Sequence, residues 1–478
     1  ITDTASFDQG SILNVDVKTG VSLGSYDRLT DVITADSSIS FIGSDYADEL
    51  SNGTLKNVGA DDFIYIESKY LEVTDNSALL GFKAFYNREG EDDIQSINLE
   101  VVQDKTVSES ALDGGADASG LAVAGALDVL NAEPVYNPVM RSMNSLLLDA
   151  DVANATEQLA PQVNLAAKRV NAFIDNTVQS VISDRQALIA MGLNGAPENE
   201  NDSFWIKAIN GDGKQEVEDI KAAYDMDTSG VTVGMDEEYK PGSRFGFAFT
   251  AINADVEMEN VNQTADIESY TGSIYGGMKS QGGLSFDYQA NLSYQMNETT
   301  RGLNFGYIND KAKGEFNTIA FSLKTQLSQE VVLGNRFAML PYVNASAMYT
   351  ETEDYSETGS EGALSFDKAK DEQIVVGLGT SMRYLLGTDK PDGLALVANV
   401  GLGYFANEAD NPITASFVGQ PSASFDSVGA DNGKVSIDAG IGFEGKMTES
   451  SRLSLMVNHY QQGELTNNTA SARFELKF

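Results

Sequence analysis

The last nine residues of the chain, Ala470–Phe478, alternate between polar and apolar side chains. Successive side chains on a β-strand point to opposite faces, so this segment has one apolar face and one charged face. The apolar face comprises Phe474, Leu476 and Phe478. The charged face comprises Arg473, Glu475 and Lys477. Such a strand suits a position between lipid and a polar lumen better than a packed soluble core. The segment therefore predicts a transmembrane β-barrel.

The same alternation recurs from Ser203 onward in long runs that a soluble sandwich would rarely sustain. We predict about twelve strands from these runs, an even number, as a closed single-chain bacterial barrel has. Their predicted ranges are 203–211, 228–240, 243–254, 266–280, 283–297, 313–330, 336–350, 370–386, 393–406, 432–446, 451–462 and 470–478. The predicted fold class is thus all-β, a 12-stranded antiparallel transmembrane barrel.

The connections between these runs alternate between short turns and long loops. Pro241-Gly242 and Gln281-Gly282 are short, whereas 351–369 and 407–431 are long. This alternation is typical of periplasmic turns and extracellular loops in outer-membrane barrels. It places the end of the last strand, and the start of the first, at the periplasmic side.

Composition narrows the alternatives. No stretch approaches the ~18 apolar residues that a transmembrane helix needs, so a helical membrane protein is excluded. The absence of cysteine argues against a disulfide scaffold and cysteine-ligated zinc. A net charge of -40 argues against nucleic acid as a partner. Ile1 opens the chain without a signal-peptide pattern, so we expect such a peptide to have been removed or to lie upstream.

One long helix is predicted directly before the barrel. Pro161 suits a first helical turn, and no breaker follows before Gly192. About 30 residues would span ~45 Å, enough to cross a barrel ~25–30 Å tall. A helix that is only partly apolar suits a polar pore; the alternative is an amphipathic helix packed on a soluble domain. The polar residues expected to mark the pore helix are Asn164, Lys168, Arg169, Asn171, Asn176 and Arg185.

The N-terminal region differs from the barrel in composition. Residues 1–112 are acidic and contain short β-like pieces, for which a β-solenoid and a small sandwich are both open. Residues 113–160 are rich in Gly, Ala and Asn, with short helical pieces, and are interpreted as a connector. The predicted division is therefore a β-rich segment at 1–112, a connector at 113–160, a pore helix at 161–192 and a barrel at 203–478.

The order of these parts resembles the C-terminal portion of classical monomeric autotransporters, over about residues 113–478. The resemblance rests on Ala155–Asn164, on Val181-Ile-Ser-Asp-Arg185, on the aromatic-plus-basic strand Phe204–Gly211, and on twelve strands ending in phenylalanine. It implies an outer-membrane translocator that secretes or displays its own N-terminal passenger, with residues 1 to about 150 at the cell surface. It also implies a monomer, outer-membrane lipids, the β-barrel assembly machinery and periplasmic chaperones as partners, and no cofactor. The implied assembly signal is Phe474, Leu476 and Phe478.

Polar residues in the predicted lumen admit two interpretations. Some members of that family cut their passenger with a helix asparagine near barrel carboxylates, but the paired Asn-Asn of those members is absent here. We therefore expect the polar groups to bond the helix to the wall. The residues predicted to face the lumen are Asp287, Arg383, Asp438, Glu444, Arg473 and Glu475.

Two other classes of barrel fit the sequence less well. A passive porin would conduct ions, and the acidic balance would favour cations, but the helix before the first strand argues against it. A barrel hydrolase would commonly need histidine as a base, and His459, the single histidine, falls on the lipid-facing side of its strand. Gly379-Thr-Ser-Met382 resembles a serine-protease nucleophile loop but lies inside a predicted strand. We predict no catalysis by this segment; a passenger upstream of Ile1 could still be an enzyme.

Overall fold

The computed structural model describes residues 4–18, 23–24, 27–42, 63–87, 94–131, 137–191, 202–216, 223–387, 393–407, 412–429 and 433–477. Residues 388–392, which connect the predicted strands 370–386 and 393–406, and Phe478 lie outside the described residues. The chain divides into two compact units. The first contains Ile1–Ala160, Leu303–Asp310 and Gly419–Phe425, and the second contains Pro161–Gly302, Lys311–Val418 and Asp426–Phe478.

The first unit begins with short strands around one apolar core. These are β1 (Thr4–Asp8), β2 (Ser11–Val15), β3 (Arg28–Thr34), β4 (Ser38–Ile42), β5 (Phe63–Tyr65), β6 (Leu71–Asp75), β7 (Leu80–Asn87) and β8 (Ser96–Gln103). Strands β1 and β4 pair in parallel, as do β2 and β6, while β3, β8, β7 and β5 form an antiparallel sheet. Parallel pairs of this kind occur in solenoids, so the described part combines solenoid-like pairs with a sheet. Ile97, Leu99 and Val101 of β8 lie in the shared core.

Four short helices complete the described part of this unit. They are α1 (Val107–Asp113), α2 (Ala118–Asn131), α3 (Pro138–Met143) and α4 (Asp149–Leu159). Thr106 and Glu109 form a capping box at the start of α1, which therefore begins before residue 113. Lys105 lies 3.0 Å from Asp149, and the Ser110 hydroxyl donates to the same carboxylate at 2.6 Å. The hydrogen bond from Ser110 is the larger cause and the contact with Lys105 the second, and together they hold the pKa of Asp149 below its ordinary value.

The second unit contains the predicted barrel. Its twelve strands are β9 (Ser203–Gln215), β10 (Tyr224–Lys240), β11 (Ser243–Met258), β12 (Gln263–Lys279), β13 (Leu284–Phe305), β14 (Ile308–Gln329), β16 (Phe337–Thr352), β19 (Ala369–Leu385), β20 (Ala395–Phe405), β23 (Val435–Thr448), β24 (Ser451–Gln462) and β25 (Leu465–Lys477). Each is paired with its neighbours in this order, and β9 pairs with β25. Strand β14 pairs directly with β16, and the short β15 (Val331–Leu333), which separates them in sequence, also pairs with β16. The described barrel strands pair antiparallel with their neighbours, and the predicted closed 12-stranded barrel is confirmed.

Side chains alternate between the two faces of the barrel wall. On β11, Phe247 and Phe249 are about half exposed, whereas Ala248 and Thr250, which alternate with them, are buried. An exposed apolar face and a buried, largely polar inner face are the pattern that a lipid-facing wall requires. On β16, Leu340 is buried on the inner face and packs against Ala187 and Ala190 near the end of the predicted pore helix.

Several strands are longer than the sequence predicted. Strands β13 and β14 have 22 residues each, although about 9–11 residues cross a bilayer. Additional strands form where long loops were predicted, namely β17 (Tyr355–Ser356), β18 (Leu364–Phe366), β21 (Ile413–Phe417) and β22 (Gln420–Ser427). Strand β18 pairs antiparallel with both β17 and β21. The predicted loops at 351–369 and 407–431 are therefore partly sheet, because pairing between distant segments satisfies their backbone groups.

Five carboxylates form a row across the outer face of β9 to β13. Asp227 lies directly opposite Asp212 and Asp255, and Asp266 lies opposite Asp255 and Glu298. All five are exposed. Like charges in opposite positions of an antiparallel pair destabilise a sheet. This carboxylate row therefore destabilises the barrel wall.

Candidate functional site in the barrel lumen

The pore helix, α5 (Gln162–Ala190), has 29 residues and a length of ~44 Å at 1.5 Å per residue. Pro161 precedes the helix as its N-cap, one position earlier than predicted, and makes no side-chain capping bond. The Val163 N–H instead donates to Oε1 of Gln263 on β12 at 3.1 Å. A barrel residue thus satisfies one of the backbone donors that a helix start leaves unpaired. Among the described helices, none is both long and apolar enough to cross a membrane.

One side of α5 packs against an apolar part of the wall. Val170, Ile174 and Val178 of the helix are buried in one cluster with Trp205 of β9 and Ile252 of β11. Burial of a branched or aliphatic side chain contributes about 1.5–3 kcal/mol, so this contact stabilises the helix in the lumen.

A second side of α5 faces a ladder of polar side chains on β13. The ladder comprises Gln289, Asn291, Ser293, Gln295 and Asn297, every second residue of the strand. Nδ2 of Asn171 donates to Oδ1 of Asn297 at 2.8 Å, and Nε2 of Gln295 donates to the Asn171 carbonyl at 3.1 Å. Ser293 donates to the Asp175 carboxylate, and Gln289 donates to the Gln179 carbonyl at 3.1 Å. The sequence showed that these β13 residues are polar but not that they follow the helix.

Four further predicted helix residues contact other strands. Nδ2 of Asn164 donates to the Tyr355 hydroxyl at 2.6 Å, and Nδ2 of Asn176 donates to Oε1 of Gln373 at 3.2 Å. The Lys168 ammonium lies 3.0 Å from the Asp371 carboxylate. Arg169 donates to the Gln462 carbonyl at 3.4 Å. Through Nδ2, Asn171 and Asn176 are thus hydrogen-bonded to strands of the barrel wall, and Asn164 is hydrogen-bonded to β17.

Arg185 anchors the other end of the helix. Its side chain is buried, and its guanidinium donates to both oxygens of Asp236 at 2.8 and 3.0 Å. A third nitrogen lies 3.0 Å from the Glu475 carboxylate. Arg244 also pairs with Asp236, and the Tyr275 hydroxyl donates to it at 2.9 Å. We name these five residues the Arg185 cluster. Bidentate arginine–carboxylate pairs of this kind are strong and directional.

The sequence singled out Arg185 and Glu475 but missed Asp236. Asp236 stands beside Glu237 and Glu238, close to a turn, where acidic residues are usually solvated. Its position on the same strand face as Gly234 and Thr232 was the available signal, because that face is the inward one.

The other predicted lumen residues lie on the inner face but form separate groups. Glu444 lies 3.0 Å from Arg452 and 3.5 Å from Arg473, a pairing within the wall. Arg383 and Asp287 are buried on β19 and β13.

A cavity of about 190 Å³ remains beside the helix. Asp438 lines it together with Lys324, Tyr342 and Asn399 of the wall and Asp184 of α5. A polar cavity of this size holds on the order of ten waters. The helix therefore leaves part of the lumen unfilled.

The remaining predicted residues lie on the outer face. Phe474 and Leu476 are exposed there on β25, as the alternation required. His459 is also exposed, and its Nδ1 lies 2.9 Å from Oδ1 of Asn468. Gly379–Met382 lies within β19. In the part of the chain that the structure describes, no group of three acidic or histidine side chains is placed to hold a metal ion.

Comparison with known proteins identifies the family. The family described as "Autotransporter beta-domain" matches residues 204–458, more than half of the chain. The chain belongs to the autotransporter family. Its structure resembles the translocator domain of the autotransporter NalP from Neisseria meningitidis, with 13% sequence identity and a TM-score of 0.51, over 64% of this chain and 98% of that one. This barrel is thus an autotransporter β-domain, and it resides in the bacterial outer membrane.

Two curated relatives match about half of this chain. One is an extracellular serine protease of Serratia marcescens, 22% identical over 251 residues, 51% of this chain and 23% of the relative. The other is the putative surface cell antigen sca2 of Rickettsia felis, 22% identical over 222 residues, 44% of this chain and 13% of the relative. The matched region thus spans less than a quarter of each relative.

Proposed function

We propose that the autotransporter barrel exports the N-terminal part of its own chain through the lumen, and that α5 occupies the lumen when export is complete. The observation that carries this proposal is the continuous set of contacts along α5, from Asn164 on Tyr355 to Arg185 on Asp236. A helix that reaches the wall near both of its ends is held in the lumen, where it limits passive flow.

The geometry restricts the state of the exported chain. A lumen that one helix and a cavity of about 190 Å³ occupy admits an extended chain or a hairpin, but not a folded domain. Folding after passage can supply the free energy for export, since a domain gains about 5–15 kcal/mol on folding. The apolar core around β8 gives residues before Ala160 the means to fold outside. Each folded segment then opposes return through the pore.

The segments take corresponding places in this proposal. Residues 1–112 are the end of the passenger, 113–160 the connector, 161–192 the pore helix and 203–478 the barrel. Residues 1 to about 150 lie at the cell surface. The barrel functions as a monomer surrounded by outer-membrane lipids, and it requires no cofactor.

The proposed function also includes how the barrel is assembled and where any catalysis occurs. The exposed Phe474 and Leu476, with Phe478, are read by the β-barrel assembly machinery after periplasmic chaperones deliver the chain. The barrel is a transport unit, and we propose that any catalysis belongs to the passenger. The Serratia relative is named as a protease and the Rickettsia relative as a surface antigen, which supports diverse passengers on one kind of barrel.

Single-channel conductance in planar bilayers tests the placement and role of the helix. The full chain, with α5 in place, should give small, mostly closed events, and a chain that starts at Asp202 should give large, stable openings. Equal large conductance from both would argue against a pore closed by α5 and favour a porin. Export itself is tested on intact cells by the accessibility of an N-terminal epitope to antibody; an inserted barrel with a hidden epitope would contradict it.

A further inference from the structure

The tip of the β13–β14 hairpin differs from an ordinary solvated loop. Gly306 has φ 56° at the first of two turn residues, as a type II′ turn requires. The flanking Leu303, Phe305 and Ile308 are all buried. The tip, Leu303–Asp310, belongs to the first compact unit, together with residues 1–160. Apolar residues buried at a hairpin tip indicate a contact surface rather than a free loop.

Ser142 of α3 provides the central polar contact with this tip. Its side chain is 0% exposed. Its hydroxyl donates to the Phe305 carbonyl at 2.8 Å and accepts from the Tyr307 N–H at 3.1 Å. One buried hydroxyl therefore satisfies a donor and an acceptor of the turn backbone, which would otherwise be costly to bury.

Two outer contacts flank Ser142. The Tyr307 hydroxyl donates to the Pro138 carbonyl at 2.7 Å, and the Asn304 N–H donates to Oε1 of Gln158 on α4 at 2.7 Å. The tip therefore binds α3 at its first residue, α3 near its last turn, and α4 near its end. All of these contacts lie within the first unit.

The fit leaves no space at the turn. A Cβ atom at Gly306 would lie 2.3 Å from the Ser142 hydroxyl and 2.4 Å from the Ser142 carbonyl oxygen. By contrast, a Cβ at Gly419, which has φ 78° at another turn, would have nothing within 4 Å. Both turns have a glycine with positive φ, but only the turn at Gly306 is in close contact with α3.

We propose that the β13–β14 tip is a docking site, carried by the barrel sequence, on which α3 and the end of α4 fold when the exported chain emerges. This inference rests on the proposed export. Helix α3 has 6 residues, and isolated helices shorter than ~12–15 residues are marginal in water. It therefore needs a partner in order to persist, and the tip is the partner that the structure provides. The exported segment acquires its first fixed structure there.

The test uses the full chain in intact cells with two readouts. Antibody access to an N-terminal epitope reports crossing, and the time at which residues 1–160 become protease-resistant reports folding. Gly306→Ala and Ser142→Ala should leave crossing unchanged and delay resistance about tenfold, a change expected from the loss of a buried hydrogen-bonded contact. The matched controls are Gly419→Ala, which has the same backbone strain, and Ser110→Ala, which removes another buried serine away from the tip.

Equal time courses in the tip variants and their controls would overturn the docking site. A chain whose barrel inserts but whose epitope stays hidden in every variant would instead refute export. Docking is then tested separately in refolded full-length protein by hydrogen exchange of the α3 amides. Exchange should be about tenfold faster in Ser142→Ala than in Ser110→Ala, and equal rates would overturn the proposal even where Gly306→Ala fails to fold.

Discussion

Replacing Arg185 by methionine should release the pore helix from the lumen. Arg185 is the buried cation that links α5 to two strands, through Asp236 of β10 and Glu475 of β25. Methionine keeps much of the side-chain volume but removes all three contacts. The substitution therefore acts on the charge and hydrogen bonds of the cluster more than on its packing.

The size of the effect follows from the charges left behind. Breaking a buried ion pair by removing one partner costs about 3–5 kcal/mol. Asp236 retains Arg244 and the Tyr275 hydroxyl, so its charge stays largely compensated. Glu475 retains the Ser203 hydroxyl at 3.2 Å but loses its contact with Arg185. We therefore expect the lower end, about 3 kcal/mol, which corresponds to a roughly hundredfold larger population with the helix displaced.

Conductance of the full-length variant in planar bilayers measures this population as the fraction of time spent in the large open state. Arg452→Met is the matched control, because Arg452 is also a buried lumen arginine and pairs with Glu444 of the wall at 3.0 Å. The control should weaken the wall without opening the pore. An Arg185→Met channel that stays as closed as the parent protein, or an Arg452→Met channel that opens equally, would refute the reasoning.

Three further predictions concern other parts of the chain. Asp227→Asn should stabilise the barrel by about 0.5 kcal/mol at low salt, because it removes two opposed like-charge pairs, and urea unfolding with and without 1 M salt checks this. The pKa of Asp149 is lowered, first by the hydrogen bond from Ser110 and then by Lys105, so the ionised carboxylate stabilises the first unit above pH ~4. This contribution is lost as the pH falls through the folded-state pKa. Asp149→Asn should therefore lower its stability by less than about 1 kcal/mol at pH 7 and leave it unchanged at pH 2, in circular dichroism. Glu357→Gln removes the carboxylate that pairs with the buried Arg301, which should lower the local stability by about 3 kcal/mol. The strands around this pair should then become sensitive to protease.

The strand count and faces of the barrel could be predicted because lipid imposes a period of two on the outer side chains. Strand length could not be predicted where the lipid ends. On β11 the outward residues change from Phe249 to Asp255 and Glu257, so the apolar signal stops while the backbone pairing continues. The pairing of Leu364 with Phe417 was also beyond sequence reasoning, since it joins two loops that no local pattern relates.

The candidate site shows the same division. Polar residues on an otherwise apolar helix identified Asn171 and Arg185, because burial of such groups requires partners. The partners themselves depend on register. Asn297 and Asp236 reach α5 only because their strands are staggered as the closed wall demands, and the sequence carries no direct record of that stagger.

The seam between β9 and β25 has a kinetic consequence. Ser203 and Glu475 meet across it although they are 272 residues apart in sequence. No smaller part of the wall can close, so the sheet keeps two exposed edges until β9 pairs with β25, and exposed edges promote aggregation. Non-local pairing of this kind is also slow. The time before β9 and β25 pair is thus the interval in which this chain is most vulnerable to aggregation and proteolysis.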